Sequence, residues 1–482
     1  MDCRSIAAAC ALVGAWLCAP VAALAGEPIR LHPDNGHYFL WREQPTVLIT
    51  SGEHYGAVLN QEVDYVRYLD ELESHGFNLT RTFAGTYREV PGSFNITGNT
   101  LAPAPGKFIC PWVRSETPGA SDGGNKFDLT KWDSAYFTRL KDFIHQGDER
   151  GVVVELVLFC TMYDDNVWNA SPMNGRNNVN GIGSVGKYEV YSGNDQKLLD
   201  VQTALARKLA TELNAFDNLY FEICNEPYER GGLTQQWNDA IAAAIVQAES
   251  PLPNKHLIGQ GFPRSMEPIP AVNPQVSVLN FHAASADAVR LNYHLDRPVC
   301  LDETGGSDRS DRKYRTEGWE FIIAGGAVYD HLDFSFTTER PDGTAVPLAE
   351  GTPGGGGPEL RRQLGILKEF IEGFDFVRMK PANDIVKSHR IVGEQPEPGS
   401  RSAVRVLAEA GKAYAVYVNG GSQIELELAI PDGEYTAEWI NTKTGRNEKT
   451  EAIQHTGGSK RLVSPMYTED IALRLHETPT QQ

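Results

Sequence analysis

Over most of its length the chain alternates short apolar runs with amphipathic stretches. The segment LHPDNGHYFLWREQPTVLIT predicts a hairpin turning at Asn35-Gly36 and leading into a first buried strand, PTVLITS. Val63, Val66, Leu69 and Leu72 then recur at helical spacing, and Gly76 stops the pattern as a C-terminal glycine does. FNLTRTF is the second strand, and a helix over about 134–150, ended by Gly151, delivers the third, VVVELVLFC. Helices over about 196–215 and 234–249 flank the fourth strand, NLYFEICNE, and lead to the fifth, HLIGQGF. VSVLNFHA, RPVCLDET and VYDHLDFSF follow as the sixth, seventh and eighth strands, and a helix over about 359–374 closes the series.

Eight nearly continuous apolar strands, each followed by a helix or a long loop, predict an α/β fold with a parallel sheet covered on its outer face. A closed (β/α)8 TIM barrel is the natural solution. An open doubly wound sheet is the alternative, but no Gly-x-Gly-x-x-Gly turn follows the first strand. Past Lys380-Pro381 the runs AVRVLAEAG, AYAVYVNGG, IELELAIPDG, EYTAEWINTKTG and DIALRLHE alternate with a period of two between turn residues, which predicts a small all-β sandwich. That domain is read as a rider on the barrel, with carbohydrate binding as the sharper alternative; exposed aromatics such as Trp439 are few. The run GTPGGGGP at 351–358 reads as a flexible loop inside the barrel, because a barrel helix still follows it.

Length and composition agree with two domains. The 482 residues, 41% of them apolar, exceed one ordinary core, giving a barrel over 26–378 and a sandwich over 379–482. Residues 1–25, with Arg4 ahead of an apolar run ending in Ala23-Leu24-Ala25, read as an export signal, which places the mature protein outside the cytoplasm, secreted or periplasmic. A membrane anchor is the alternative, but Gly14 and Pro20 interrupt the run; a lipid anchor at Cys10 or Cys18 lacks a lipobox, and no later stretch looks like a membrane span. Cys110, Cys160, Cys224 and Cys300 remain after the signal, mostly within apolar strands, and read as buried free thiols. The net charge of −19 argues against nucleic acid or an anionic membrane as partner.

Candidate chemistry lies at two strand ends. In a barrel of this kind the C-terminal ends of the strands and the loops leaving them form the active face. Glu226 ends the fourth strand in FEICNEPYE and Glu303 ends the seventh in LDETGG. Strand alternation puts Glu222, Cys224 and Glu226 on one face, and likewise Val299, Leu301 and Glu303. Two carboxylates facing one cavity are what glycosidic hydrolysis needs: one acid to protonate the leaving oxygen, one carboxylate to attack the sugar.

At these residues the chain resembles glycoside hydrolase clan A, and is most similar to its family 5, cellulase-like branch and the poorly characterised relatives of that branch, over about 28–378. Asn225-Glu226-Pro227 matches the acid/base glutamate and the asparagine before it, which in that clan binds the sugar 2-hydroxyl. The resemblance implies Glu303 as nucleophile, Arg81 as the arginine that steadies it, and His282 after the sixth strand. Two positions depart from the family: Ala284 stands where a tyrosine is usual, and the eighth strand carries Phe334 and Phe336 in place of a tryptophan platform.

Arg81 beside Glu303 is expected to hold that carboxylate anionic, and its charge in turn to keep Glu226 protonated; the clan resemblance implies that the two groups stand about 5–5.5 Å apart. Glu53 and His54, in SGEHYG, read as substrate contacts, and Tyr55, Tyr87, Trp168, Tyr228, Phe262 and Phe336 as aromatics that could meet sugar rings. The long Asn/Gly-rich loop from Thr161 to about Gln196 reads as a wall of the cleft; MYDDN within it reads as a solvated acidic turn in preference to a cation site. The expectation is an exported retaining glycoside hydrolase acting on an oligo- or polysaccharide, with no cofactor and no metal. A non-catalytic carbohydrate-binding barrel and a transglycosylase are the alternatives.

Overall fold

The computed structural model describes residues 26–228, 232–263, 267–393 and 404–478, so the expected export signal lies outside the described residues. Eight strands form one sheet: β1 Leu48–Ile49, β2 Leu79–Phe83, β3 Val153–Cys160, β4 Leu219–Asn225, β5 Ile258–Phe262, β6 Val278–His282, β7 Val299–Glu303 and β8 Val328–Tyr329. Every pairing in it is parallel, and β1 pairs with β8, so the sheet curls into a (β/α)8 barrel.

The ladder is open between β1 and β2, and Asn78 closes it. Its Oδ1 accepts the Ile49 N–H at 3.0 Å and its Nδ2 donates to the Val47 carbonyl at 2.9 Å. An Asn78→Ala variant leaves both backbone groups without their partner. It is expected to lose about 2–4 kcal/mol of stability, from roughly 1–3 kcal/mol for each buried group left unpaired. Urea titration measures this; a loss under 1 kcal/mol would show that the seam is held by other contacts.

Six helices of ten residues or more cover the barrel: Tyr65–Ser74, Ser134–Glu149, Gln196–Glu212, Gln235–Glu249, Asp311–Ile323 and Pro358–Glu372. Five begin on an oxygen-bearing cap, Asp64, Asp133, Asp195, Thr234 or Ser310, whose side chain accepts a first-turn backbone N–H. Leu69 and Leu72 of the first helix are buried as its periodicity predicts, whereas Val66 is turned to solvent and Tyr65 and Tyr68 take its place in the core.

Three sequence expectations are corrected. His32 pairs with Asn35, so the first hairpin turns at Pro33-Asp34, and Asn35 instead donates from its side chain to the Val377 carbonyl at 2.7 Å. Gln44–Thr46 pairs back onto Phe39–Trp41, which leaves only Leu48–Ile49 of the expected first strand for the barrel. The expected eighth strand is likewise cut to two residues, because Asp333 folds the chain into a turn by accepting the Ser335 N–H at 3.0 Å and pairing with Arg361 at 2.6 Å. The glycine run after it is packed against this turn: a Cβ at Gly356 would lie 1.9 Å from Asp333 Oδ1, an approach only glycine permits.

The C-terminal domain is a pair of antiparallel sheets. The larger holds Lys380–Pro381, Val404–Glu409, Ala413–Asn419, Asp470–Glu477, Gly433–Ile440 and Asn447–His455; the smaller holds Val386–Val392, Gln423–Ala429 and Ser459–Val463. Trp439 is fully buried between them and is no exposed aromatic. The larger sheet packs on the barrel helices: Trp319 stacks on Tyr417 at 5.4 Å, and buried Arg315 pairs with Asp470 at 2.6 Å.

Candidate active site

A cavity of about 320 Å³ opens at the C-terminal ends of the barrel strands and is lined by Asn225, Glu226, His282 and Glu303 among others. The pleat alone does not aim the two glutamates into it. Glu222 and Asn225, an odd number of residues apart on β4, both reach Arg81, and Glu226 then takes a left-handed backbone, φ 47°. On the other side, the β6–β7 register shifts between Phe281 and His282, so that Phe281 pairs with Leu301 but His282 with Glu303. The extra residue, Asp302, is buried and lies 3.5 Å from Arg81 Nε and 3.7 Å from His282 Nε2, while its neighbour Glu303 faces the cavity.

One oxygen of Glu226, one of Glu303 and one ring nitrogen of His282 lie within 4.8 Å of one another. Glu303 accepts from the Tyr55 hydroxyl at 3.0 Å and from Arg81 at 3.2 Å. Glu226 accepts from the Tyr163 hydroxyl at 2.5 Å, and His282 Nδ1 lies 3.1 Å from it and 3.5 Å from Glu303. Asn225 is held by its neighbours, accepting from Arg81 at 2.9 Å and donating to the Tyr163 hydroxyl at 2.9 Å.

These contacts bear on whether Glu226 and His282 favour their charged forms. Burial acts to raise the Glu226 carboxyl, but the hydrogen bond and charge of His282, with help from Tyr163, outweigh it and hold the group below its ordinary value. Burial acts to lower His282, and the charges of Glu303, Tyr228 and Asp302 overcome it, leaving the imidazole well above its ordinary value. Both shifts favour the charged forms, an imidazolium at His282 beside an ionised Glu226, where the sequence expectation has Glu226 protonated.

Beneath the cavity, Arg81 is fully buried, hydrogen-bonded to Glu222 and close to Glu155 at 3.7 Å and Asp302 at 3.5 Å. Glu226, His282 and Glu303, and below them Glu222, His282 and Asp302, have the ligand types and spacing to hold a metal ion. Arg81 pairs with an acid of each set, Glu303 of the first and Glu222 of the second.

The other expected contacts divide. His54 and Tyr87 line the cavity, and both approach Glu89, at 3.4 and 3.1 Å. Tyr55 lines it too, but it is buried with its hydroxyl on Glu303, supplying from the first strand's loop the donor that Ala284 lacks. Glu53 does not line the cavity: it accepts from Thr100 at 2.6 Å and from the Ala57 N–H at 3.0 Å, and burial pushes its carboxyl up to about 7. Trp168 is buried within a short helix, Asp165–Ala170, and donates to the Val185 carbonyl. Phe336 packs under Arg361 and edge-on to Tyr68, away from the opening, whereas Phe334 lines it. Tyr228 and Phe262 border a neighbouring cleft of about 370 Å³.

Glu89, Tyr163, Phe83 and Phe94 line the cavity without having been singled out in the sequence. For Tyr163 a signal existed, its place just past the end of β3; Glu89 and Phe94 arrive on the long loop after β2, where nothing local marks them.

Fold and site together define a (β/α)8 barrel bearing a β-sandwich, with paired acids in a cavity at the C-terminal ends of the barrel strands. No family model matches the sequence, and no curated protein matches it. Solved structures do match. A glycoside hydrolase family 5 protein from Bacteroides vulgatus is similar with a TM-score of 0.63 at 14% identity, covering 94% of this chain and 93% of its own. A protein described as a glycoside hydrolase gives 0.62 at 14% identity, covering 94% and 98%. At that identity the likeness establishes the fold, barrel and sandwich together.

Proposed function

We propose that this chain is an exported retaining glycoside hydrolase of the clan A, family 5 type, acting on an oligo- or polysaccharide, with Glu226 as general acid/base and Glu303 as nucleophile. The observation that carries the reading is that one oxygen of Glu226 and one of Glu303 lie within 4.8 Å of each other across one cavity. Inverting pairs stand roughly 6.5–9.5 Å apart to admit a water, and retaining pairs about 5–5.5 Å. The family 5 description of a structural neighbour agrees with it. Export rests on the apolar N-terminal segment; among the described residues no helix is long and apolar enough to cross a membrane.

In this reading Arg81 and Tyr55 hold Glu303 for attack on the anomeric carbon. The proton on His282 Nδ1 passes to Glu226 across their 3.1 Å contact, and Glu226 gives it to the departing oxygen. Water, deprotonated by Glu226, then releases the sugar from Glu303. Glu89, held by His54 and Tyr87, is placed to accept sugar hydroxyls. The test is a panel of aryl glycosides and polysaccharides with the product anomer read by proton NMR: retention supports the mechanism, inversion refutes it, and binding without any cleavage would favour the carbohydrate-binding alternative.

The shared proton gives a pH prediction. With His282 present it is lost only as pH rises through a raised imidazole value. In His282→Gln it must reside on the Glu226 carboxyl, whose ordinary value is 4.5 and which burial alone raises. The alkaline limb of kcat/KM is therefore expected to move toward acid in the variant. An unmoved limb would mean that another group carries it.

A further inference from the structure

We infer that Phe94 is the platform for the leaving group, stacking on a flat ring, aryl or pyranose, in the position just beyond the scissile bond; this rests on the hydrolase reading above. Among the described residues, Phe94 is the one large exposed hydrophobic that lines the acidic cavity, at 47% exposure. Phe94 and Asn95 both adopt left-handed backbone, φ 52° and 60°, a conformation that bulky side chains avoid and that persists only where the surroundings impose it.

Those surroundings are visible. Asn95 Nδ2 donates to the Gly351 carbonyl at 3.2 Å, and a Cβ on Gly351 would come within 2.2 Å of that nitrogen. The loop after β2 is thus clamped to the loop after β8, and the aromatic ring is set at their seam.

Its location selects the leaving-group side. The Phe94 ring meets Tyr163 edge-on at 5.3 Å, and the Tyr163 hydroxyl bonds Glu226 at 2.5 Å. The acid that protonates the departing oxygen must stand beside the departing group, so a ring on that oxygen comes to lie by Tyr163 and Phe94. Glu303, by contrast, is steadied by Tyr55 and Arg81.

The experiment compares wild type with Phe94→Ala and Phe94→Trp on two substrate types matched sugar for sugar: 4-nitrophenyl glycosides and glycosyl fluorides of glucose, mannose, galactose and xylose, in both anomeric forms. Phe94→Ala is expected to lose about three- to tenfold in kcat/KM on the nitrophenyl glycosides, the scale of one aromatic contact, with the fluorides unchanged and Phe94→Trp close to wild type. Equal losses on both substrates, or none on either, would overturn the assignment. Because the ring is exposed, Phe94→Gly, which also suits the left-handed backbone, guards against a folding artefact. If none of these glycosides is cleaved, the hydrolase reading is decided by the polysaccharide panel, and calorimetry of phenyl against methyl glycosides decides the platform. Phenyl preference lost in Phe94→Ala supports it, and no preference in wild type overturns it.

Discussion

Glu303→Gln is expected to lower kcat by roughly 10⁴-fold or more, the scale on which enzymes lose rate when their nucleophile is removed. The amide keeps an oxygen for the Arg81 and Tyr55 donors, so folding and sugar binding should survive, as circular dichroism and calorimetry would show. Glu303→Ala with added azide should release a glycosyl azide of inverted configuration, because the anion enters from the face the carboxylate has left. Turnover within tenfold of wild type in Glu303→Gln would remove the nucleophile assignment and with it the double displacement.

Arg81→Leu should be the most destabilising single change near the site. Its guanidinium is hydrogen-bonded to Glu222, lies 3.7 Å from Glu155 and 3.5 Å from Asp302, and all three acids are fully buried. Removing one partner of such a network costs about 3–5 kcal/mol, because charge is left buried and unpaired. The loss should depend on pH. Burial, opposed by Arg81, already raises Glu222, and raises Glu155 well above its ordinary value. Without the arginine both rise further. A carboxyl whose folded value exceeds its unfolded one binds more protons when folded, so stability declines as pH climbs above about 4.5. The deficit of the variant should therefore be larger at pH 7 than at pH 5. Equal deficits by urea titration at the two pH values would show that these acids do not titrate with the loss of Arg81.

The elements legible in the sequence are those whose apolar positions repeat locally. β3 and β4 are buried along their whole lengths, and the long helices carry clear capping residues, so both stand out from their neighbours. The strands missed in the sandwich are polar: Val386–Val392 is exposed or half-exposed throughout, and Asn447–His455 buries only two residues. Such strands are held by backbone pairing, to Gln423–Ala429 for the first and Gly433–Ile440 for the second, while their mostly exposed side chains leave no clear apolar period to read. The antiparallel hairpin Trp112–Pro118 with Asn125–Trp132, inside the loop after β2, escaped notice for the same reason.

The sequence by itself determined the barrel order and the position of two glutamates at strand ends, since apolar periodicity and turn chemistry act between near neighbours in the chain. Tertiary structure alone decided how those glutamates are aimed, through a left-handed residue at Glu226 and a register shift before Glu303. It also decided what surrounds them: Tyr55 and Tyr163 as hydroxyl donors, Glu89 and Phe94 from a long loop, and acidic neighbours that raise His282. Such features arise from contacts between groups far apart along the chain, in a buried setting where a few ångströms set charge, and linear spacing carries no measure of that distance.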